Sequence, residues 1–398
     1  MRWVLLMALV YACGAASEAE IPYSELSALF ALKAVLTLDP SGEVWSTWNG
    51  LPCDESAPWV GVECESTAST DSTVEMQKHV VTLDLPALGL ESRALPEDLG
   101  ALSKLRMLRL GRDWGNVFRG TVRYLRCGVR PALQSDTGGP CLTRVVIHTG
   151  ALPSSLQLLT NLQYLLLGGN DITAIPSDWS ALMQLRVVEL SGNSRLAGTL
   201  PASLFDLPKL HTLRIQGTQM RGPLPFVGGA PLTELRLGHN ELSGVLPSSL
   251  ALLTGLTDLG LEGNQLHGPL PEGVFGAMPR LQELNLSSQF SQSGFTGTLP
   301  AALWTMSDLK VLDLHSNTLK GPLGIRDDGG GGDDGALQSL SVLNLASNSL
   351  TGPLPSHLAS LPMLQYVYLN DNNLTGTSVL AFTVLPPHDA CTSELRVS

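Results

Sequence analysis

Six cysteines, eight histidines and one arginine-rich stretch are the groups with chemistry to offer in this 398-residue chain. Cys53 and Cys64 stand 11 residues apart, Cys127 and Cys141 14 apart, and each pair is spaced to close a local disulfide. Two such bonds belong to an oxidising compartment, and each would stabilise the chain by ~3 kcal/mol if unstrained. Cys391 is left over: free, paired between chains, or the mark of a reduced C-terminal cap. His148, His239 and His315 fall near an outward face of the repeat described below, but without metal-ligand spacing they read as surface residues. The chain carries no Gly-x-Ser-x-Gly elbow, no His-Glu-x-x-His, no phosphate loop and no kinase signature. No enzyme, no metal and no cofactor is therefore expected. The Gly/Asp run at 326–335 lacks the spacing of a calcium loop and reads as a plain loop.

The arginines are a stronger signal. From Lys104 to Arg144 nine basic residues stand against Asp113 and Asp136, a local charge of +7 in a chain of net charge −12. Guanidinium forks suit carboxylates and sulfates, and a positive patch on an acidic body focuses anions. Arg109, Arg123, Arg126, Arg130 and Arg144 are accordingly candidate ligands for an anionic polysaccharide or an acidic protein patch. The acidic whole argues against nucleic acid as a partner.

What must position these groups is a repeat of about 24 residues. It shows most cleanly from Leu232 (LTELRLGHNELSGVLPSSL) and again from Leu256 (LTDLGLEGNQLHGPLPEGV). Other units begin near Val80, Leu105, Leu162, Leu185, Leu210, Leu281, Leu309, Leu340 and Leu364, with a shortened one at Leu142, about twelve in all. In LxxLxL, strand alternation sends Leu235 and Leu237 inward and leaves Glu234, Arg236 and Gly238 outward. One turn cannot bury its leucines alone, so turns must stack into a continuous core with a parallel sheet on the concave side. Asn170, Asn193, Asn240, Asn264, Asn317, Asn348 and Asn372 recur at the ninth position, where an amide can satisfy inward-bent backbone groups. The gap between Leu105 and Leu142 is about 13 residues too long, because Arg119–Val122 still fit the pattern; the excess falls at 123–141, closed by Cys127 and Cys141.

The ends differ in kind. Residues 1–16, with Arg2, an apolar Trp3–Ala12 and a small Gly14-Ala15-Ala16, read as a secretory signal peptide that removes Cys13. No later stretch reaches ~20 apolar residues, so no membrane span is expected. Residues 17–79 form a cap: a helix over Ser27–Leu36, then Trp45, Trp48 and Trp59 covering the first turn. The solenoid occupies 80–376 and a tail 377–398.

With this cap and its Gly-x-Leu-Pro steps, the chain resembles plant-type leucine-rich-repeat extracellular proteins from about Ser24 to Thr375. These are receptor-kinase ectodomains, receptor-like proteins and polygalacturonase-inhibiting proteins. The resemblance implies an α/β solenoid, curved, with a parallel concave sheet and a helical cap. It implies a secreted or cell-surface recognition module, with an extracellular protein or anionic glycan as ligand and a co-receptor as a further partner. An inhibitor of an extracellular hydrolase and a wall or matrix component are the alternatives. The wider Cys53–Cys64 interval and the lone Cys391 depart from the family pattern. Its Arg-x-Arg signature for peptide carboxylates is absent, so that role is not carried over.

Three clusters of outward residues stand out as ligand-binding candidates. Tyr164 and Leu166 are apolar where water is expected, Arg214 and Arg236 form a stacked cationic pair with Glu234 and Asp258 as partial neutralisers, and Tyr366 and Tyr368 make an aromatic end patch. Asn285 and Asn373 lie in glycosylation sequons, the first pointing into the concavity.

Overall fold

The computed structural model describes residues 21–35, 47–48, 52–54, 58–67, 77–85, 95–110, 149–225, 228–290, 294–324, 337–355, 358 and 361–375. The expected leader at 1–16, Trp45, the Cys127–Cys141 pair, His148, the 326–335 run and Cys391 lie outside the described residues.

The chain opens with helix α1 (Tyr23–Val35). It begins earlier than Ser27 because the Pro22 carbonyl accepts the Glu25 and Leu26 amides and so starts the first turn. Its buried stripe is Leu26, Leu29 and Leu32. Glu25, only 2% exposed, accepts from Val80 N at 2.9 Å and meets His79 Nδ1 at 2.7 Å, tying helix to sheet. Trp48 and Trp59 stack at 4.8 Å with Phe30 edge-on to Trp59, and Cys53 is bonded to Cys64 with Cα atoms 5.7 Å apart. Indoles and disulfide together close the apolar end of the stack.

Beyond the cap runs a twelve-stranded sheet in strict chain order. Its strands are β1 (Val62–Thr67), β2 (Gln77–Asp84), β3 (Met107–Arg109), β4 (Tyr164–Leu166), β5 (Val187–Glu189) and β6 (Thr212–Arg214). They continue as β7 (Glu234–Arg236), β8 (Asp258–Gly260), β9 (Glu283–Asn285), β10 (Val311–Asp313), β11 (Val342–Asn344) and β12 (Tyr366–Tyr368). Only β1–β2 is antiparallel; the other pairs are parallel and in register, so Leu213, Leu235, Leu259, Leu284, Leu312 and Leu343 form one buried row. After each asparagine turn the chain makes a second, shorter parallel ladder, such as Gln219–Gly222 beside Glu241–Gly244, then a proline-led helical turn.

The asparagine ladder joins consecutive turns. Asn264 Nδ2 donates to Leu261 O (2.9 Å) in its own turn and Leu237 O (3.0 Å) in the turn before, and its Oδ1 accepts from Leu242 N (3.0 Å). Asn193 and Asn317 repeat the arrangement. In the turn from Leu281, which has no asparagine at this place, Gln289 takes it over, reaching Leu261 O, Leu286 O and Leu266 N; in the turn from Leu210, Thr218 stands there and its hydroxyl donates to Asn240 Oδ1.

The insertion requires a correction. Met107 pairs directly with Tyr164, and Arg109 with Leu166, so no strand beginning at Leu142 lies between β3 and β4. Asn170 Nδ2 bonds Leu110 O across the same junction, and the Glu97 carboxylate reaches Ser155 N at 2.9 Å on the following helical turn. Leu105 and Leu162 therefore start adjacent turns 57 residues apart, and the excess is about 33 residues within one repeat, all between Leu110 and Thr149. Arg119–Val122 and the Leu142 unit lie outside the described residues. Among the described residues the concave sheet has eleven repeat strands, against the twelve or so units expected.

Candidate functional site

The outward positions of β5 to β10 carry a network of charged side chains that meet across strands. Parallel register stacks Thr212, Glu234, Asp258 and Glu283 in one row and Arg214, Arg236, Gly260 and Asn285 in the next. Neighbouring strands lie ~4.8 Å apart, so groups more than 20 residues apart in sequence touch side by side.

Arg214 and Arg236 are not a free cationic pair. Arg214 makes a two-pronged contact with Glu234 (Nε–Oε1 2.8 Å, Nη2–Oε2 2.6 Å) and stands 3.8 Å from Glu189. Arg236 donates to Glu234 (2.6 Å), Asp258 (2.8 Å) and Glu283 (2.9 Å). Counting Glu189, Glu234, Asp258, Glu262, Glu283 and Asp313, six carboxylates face two guanidinium groups on these strands and the turns that follow. The surface read from sequence as cationic is acidic.

Burial sorts these carboxyls. It works against ionisation of Glu234 and is the largest single effect there, yet the two arginines outweigh it and hold the group below the usual carboxylate range. Glu189 and Glu262 are pushed up by burial. Glu262 lies over Gly238: a Cβ there would come within 2.1 Å of its Oε1, so glycine makes room for the carboxylate and Gly238 faces outward but is covered. Gln216 donates to the same oxygen at 3.2 Å.

Arg236→Leu should therefore lower stability at pH 7 by about 2–4 kcal/mol, because three carboxylates lose a shared, mostly buried counter-ion. Glu283 is 45% exposed, which keeps the loss from being larger. The sign with pH follows from Glu234. Its folded-state pKa is depressed, so its contribution is present above the ordinary carboxylate pKa and is lost as pH falls through the lower folded value. The gap between wild type and variant in urea melts should thus close on going from pH 7 towards pH 3; a gap independent of pH would refute the ion ladder.

The other candidates are distributed as follows. Arg109 is on β3 and bonds Asp84 at 3.2 Å. Tyr164 and Leu166 are half-buried: Tyr164 lies in register between Met107 and Val187, an apolar row abutting the acidic ladder, and Leu166 lies between Arg109 and Glu189. Tyr366 and Tyr368 sit on β12, the last strand, with Tyr368 exposed. Asn285 points outward on β9, but its Oδ1 already accepts from Ser287 N and Oγ; Asn373 is exposed on the Asn373–Thr375 strand. Arg123, Arg126, Arg130 and Arg144 lie outside the described residues. Sequence reasoning did not single out Glu189, Glu262 or Glu283. Counting carboxylates along each outward row would have found them.

Residues 22–65 match the leucine rich repeat N-terminal domain family, and 231–253 and 339–361 the Leucine Rich Repeat family. Among solved structures, the chain is similar to the Arabidopsis receptor kinase HAESA in complex with the peptide hormone IDA and the co-receptor SERK1. The identity is 26% over 89% of this chain and 54% of that one, with a TM-score of 0.59. It is similar to a TDR receptor at 26% identity over 71% of this chain and 45% of that one, TM-score 0.52. It shares the fold of a plant ice-binding protein, 22% identical over 90% and 89% of the two chains, TM-score 0.54. The chain spans about half the length of the two receptors it matches.

Proposed function

We propose that this chain, a leucine-rich-repeat solenoid similar to plant receptor ectodomains, is an extracellular recognition module that lays an extended peptide with basic side chains along its concave sheet. The observation that carries this is the acidic ladder from β5 to β10, where the protein's own arginines are already engaged and carboxylates remain in excess. The apolar row of Met107, Tyr164 and Val187 beside it supplies the anchor that a charged surface alone lacks. The solved HAESA complex holds a peptide hormone and a co-receptor, and we take both as the partner classes here. Export through residues 1–16 and N-glycans at Asn285 and Asn373 belong to the same proposal. No described helix is long and apolar enough to cross a membrane.

The test is binding of the full chain to decapeptides of matched hydrophobicity and net charge +3, 0 or −3. The cationic set should bind most tightly, weaken markedly between ~0.05 and ~0.5 M salt, and lose at least about tenfold on Asp258→Asn with Glu283→Gln. Binding indifferent to peptide charge would reject the ladder as the site. The +7 stretch from Lys104 to Arg144 motivates a second reading, an anionic glycan held there. Capture of uronate or sulfated glycans, abolished by replacing Arg123, Arg126 and Arg130 with serine, would favour it instead.

A further inference from the structure

Past the acidic ladder, where the turn after β9 meets β10, three side chains come together that no sequence motif announces. Ser288 Oγ lies 3.0 Å from His315 Nε2, and His315 Nδ1 lies 2.6 Å from Asp313 Oδ1. From β11, Asn344 Nδ2 reaches the other Asp313 oxygen at 3.2 Å and stands 3.2 Å from His315 Nδ1. A carboxylate at 2.6 Å fixes the tautomer: Nδ1 carries the proton, and the Nε2 lone pair faces the serine hydroxyl. The sequence of contacts is that of a hydroxyl, a base and a group that orients the base.

The solenoid supplies its own controls. Ser288, Ser316 and Ser347 occupy the same place in successive turns with the same left-handed backbone, φ of 55°, 54° and 55°. That conformation is general to this place, since His239 and Asp371 share it, so it does not by itself mark a site. It holds each hydroxyl at the rim of the concave face. Among these three serines, the only hydroxyl–imidazole hydrogen bond is that of Ser288; Ser347 Oγ instead meets Asp371 Oδ2 at 3.2 Å. Ser288 is half-buried, and the His315 and Asp313 side chains are 32% and 20% exposed, so a molecule on the concave sheet can reach the hydroxyl.

We propose that Ser288 is an activated nucleophile that accepts an acyl group from an ester ligand on the concave face and passes it to water, with His315 as base and Asp313 as positioning residue. In the first step Oγ bonds the acyl carbon and its proton passes to His315 Nε2. The carbon–oxygen bond of the ester breaks, and the imidazolium returns the proton to the leaving alkoxide. Water then attacks the acyl-serine, His315 takes its proton and hands it to Oγ, and acid and alcohol leave. The two amides nearest the hydroxyl are already engaged, Ser288 N with His315 O and Ser287 N with Asn285 Oδ1. With no paired donors at the oxyanion, turnover falls about 10²–10³-fold short of a complete hydrolase. Acylation by activated reagents is the more sensitive readout.

Asp313 is the charged group in contact with the imidazole. From the neighbouring turns it meets the neutral Ser288 and Asn344, and the hydrogen bond to Asp313 raises its pKa above the ordinary histidine value. The serine should thus gain reactivity with rising pH, along a limb whose midpoint lies above ~6.5.

The experiment exposes the full chain to a fluorophosphonate probe and locates the label by peptide mapping. The expected result is one equivalent on Ser288 and none on Ser316 or Ser347. His315→Gln should slow labelling by about 10² or more, and Asp313→Asn should slow it and alter the pH limb. Both exposed-face variants are checked for wild-type melting, and Ser288→Ala serves as blank. No label on Ser288, equal label on all three serines, or a rate unchanged in His315→Gln would each overturn the proposal, whatever ligand the acidic ladder binds.

Discussion

Aspartate at Leu235 should unfold the middle of the solenoid. Leu235 is fully buried on β7, with Leu213 and Leu259 directly beside it in register. Truncating a buried leucine loses about 2–5 kcal/mol, and a carboxyl kept neutral or charged in so dry a place adds several more. Together these approach the whole stability of an ordinary domain, about 5–15 kcal/mol. In a stacked repeat the damage falls first on the two neighbouring interfaces, so limited proteolysis should cut between 213 and 259 while the cap end survives. Thr212→Asn, one residue from Leu213 but outward and without a charge to set against the neighbouring Glu234, is the control and should melt within about 0.5 kcal/mol of wild type. Equal melting of Leu235→Asp and wild type would mean that the strand register is wrong.

Asn264→Leu should cost about 2–4 kcal/mol with no change in net charge. The substitution leaves the Leu242 amide buried without its partner, at about 1–3 kcal/mol, and cuts the Leu237 and Leu261 carbonyls back to one side-chain donor each, Asn240 and Gln289, at up to about 1 kcal/mol more. Leucine restores the lost volume, so packing contributes little to the difference. Asn264→Gln should cost markedly less, because Gln289 already makes the same three contacts in the next turn. Urea melts of the two variants decide: a leucine variant no weaker than the glutamine one would show that the amide ladder does not join the turns.

The fold was legible because its signal is a period. Each leucine of LxxLxL is buried by the same geometry, and the strands follow chain order with no choice of topology. The amide ladder was legible wherever its residue is asparagine. Gln289 escaped because the contact needs a carbonyl and an NH2 rather than one residue type, and an extra methylene still reaches. Thr218 escaped because it joins the ladder through a hydroxyl donated to Asn240 Oδ1 rather than through an amide. The insertion misled because Arg119–Val122 fit the repeat pattern, whereas only the Met107–Tyr164 pairing shows which turns are neighbours.

The candidate site was harder to read because its charges meet across strands. Arg236 is 22 residues from Asp258 and 47 from Glu283, and nothing in local sequence says that both carboxylates close on one guanidinium. Read along the chain, Arg214 and Arg236 are two cations; read across the sheet, they are the minority partners of an acidic surface. Ser288 and His315 likewise meet only because the turn position of one repeat lies beside the strand exit of the next, 27 residues on.

The most direct measurement is carbodiimide footprinting of carboxyl groups, with and without the tightest-binding decapeptide of the charge panel. Asp258 and Glu283, the more exposed partners of Arg236, should lose labelling when the peptide is bound. Glu97 and Glu272, which face the helical turns on the other side of the repeat, should label as before. Unchanged labelling of Asp258 and Glu283 in a demonstrably occupied complex would contradict a peptide-binding acidic ladder on the concave sheet.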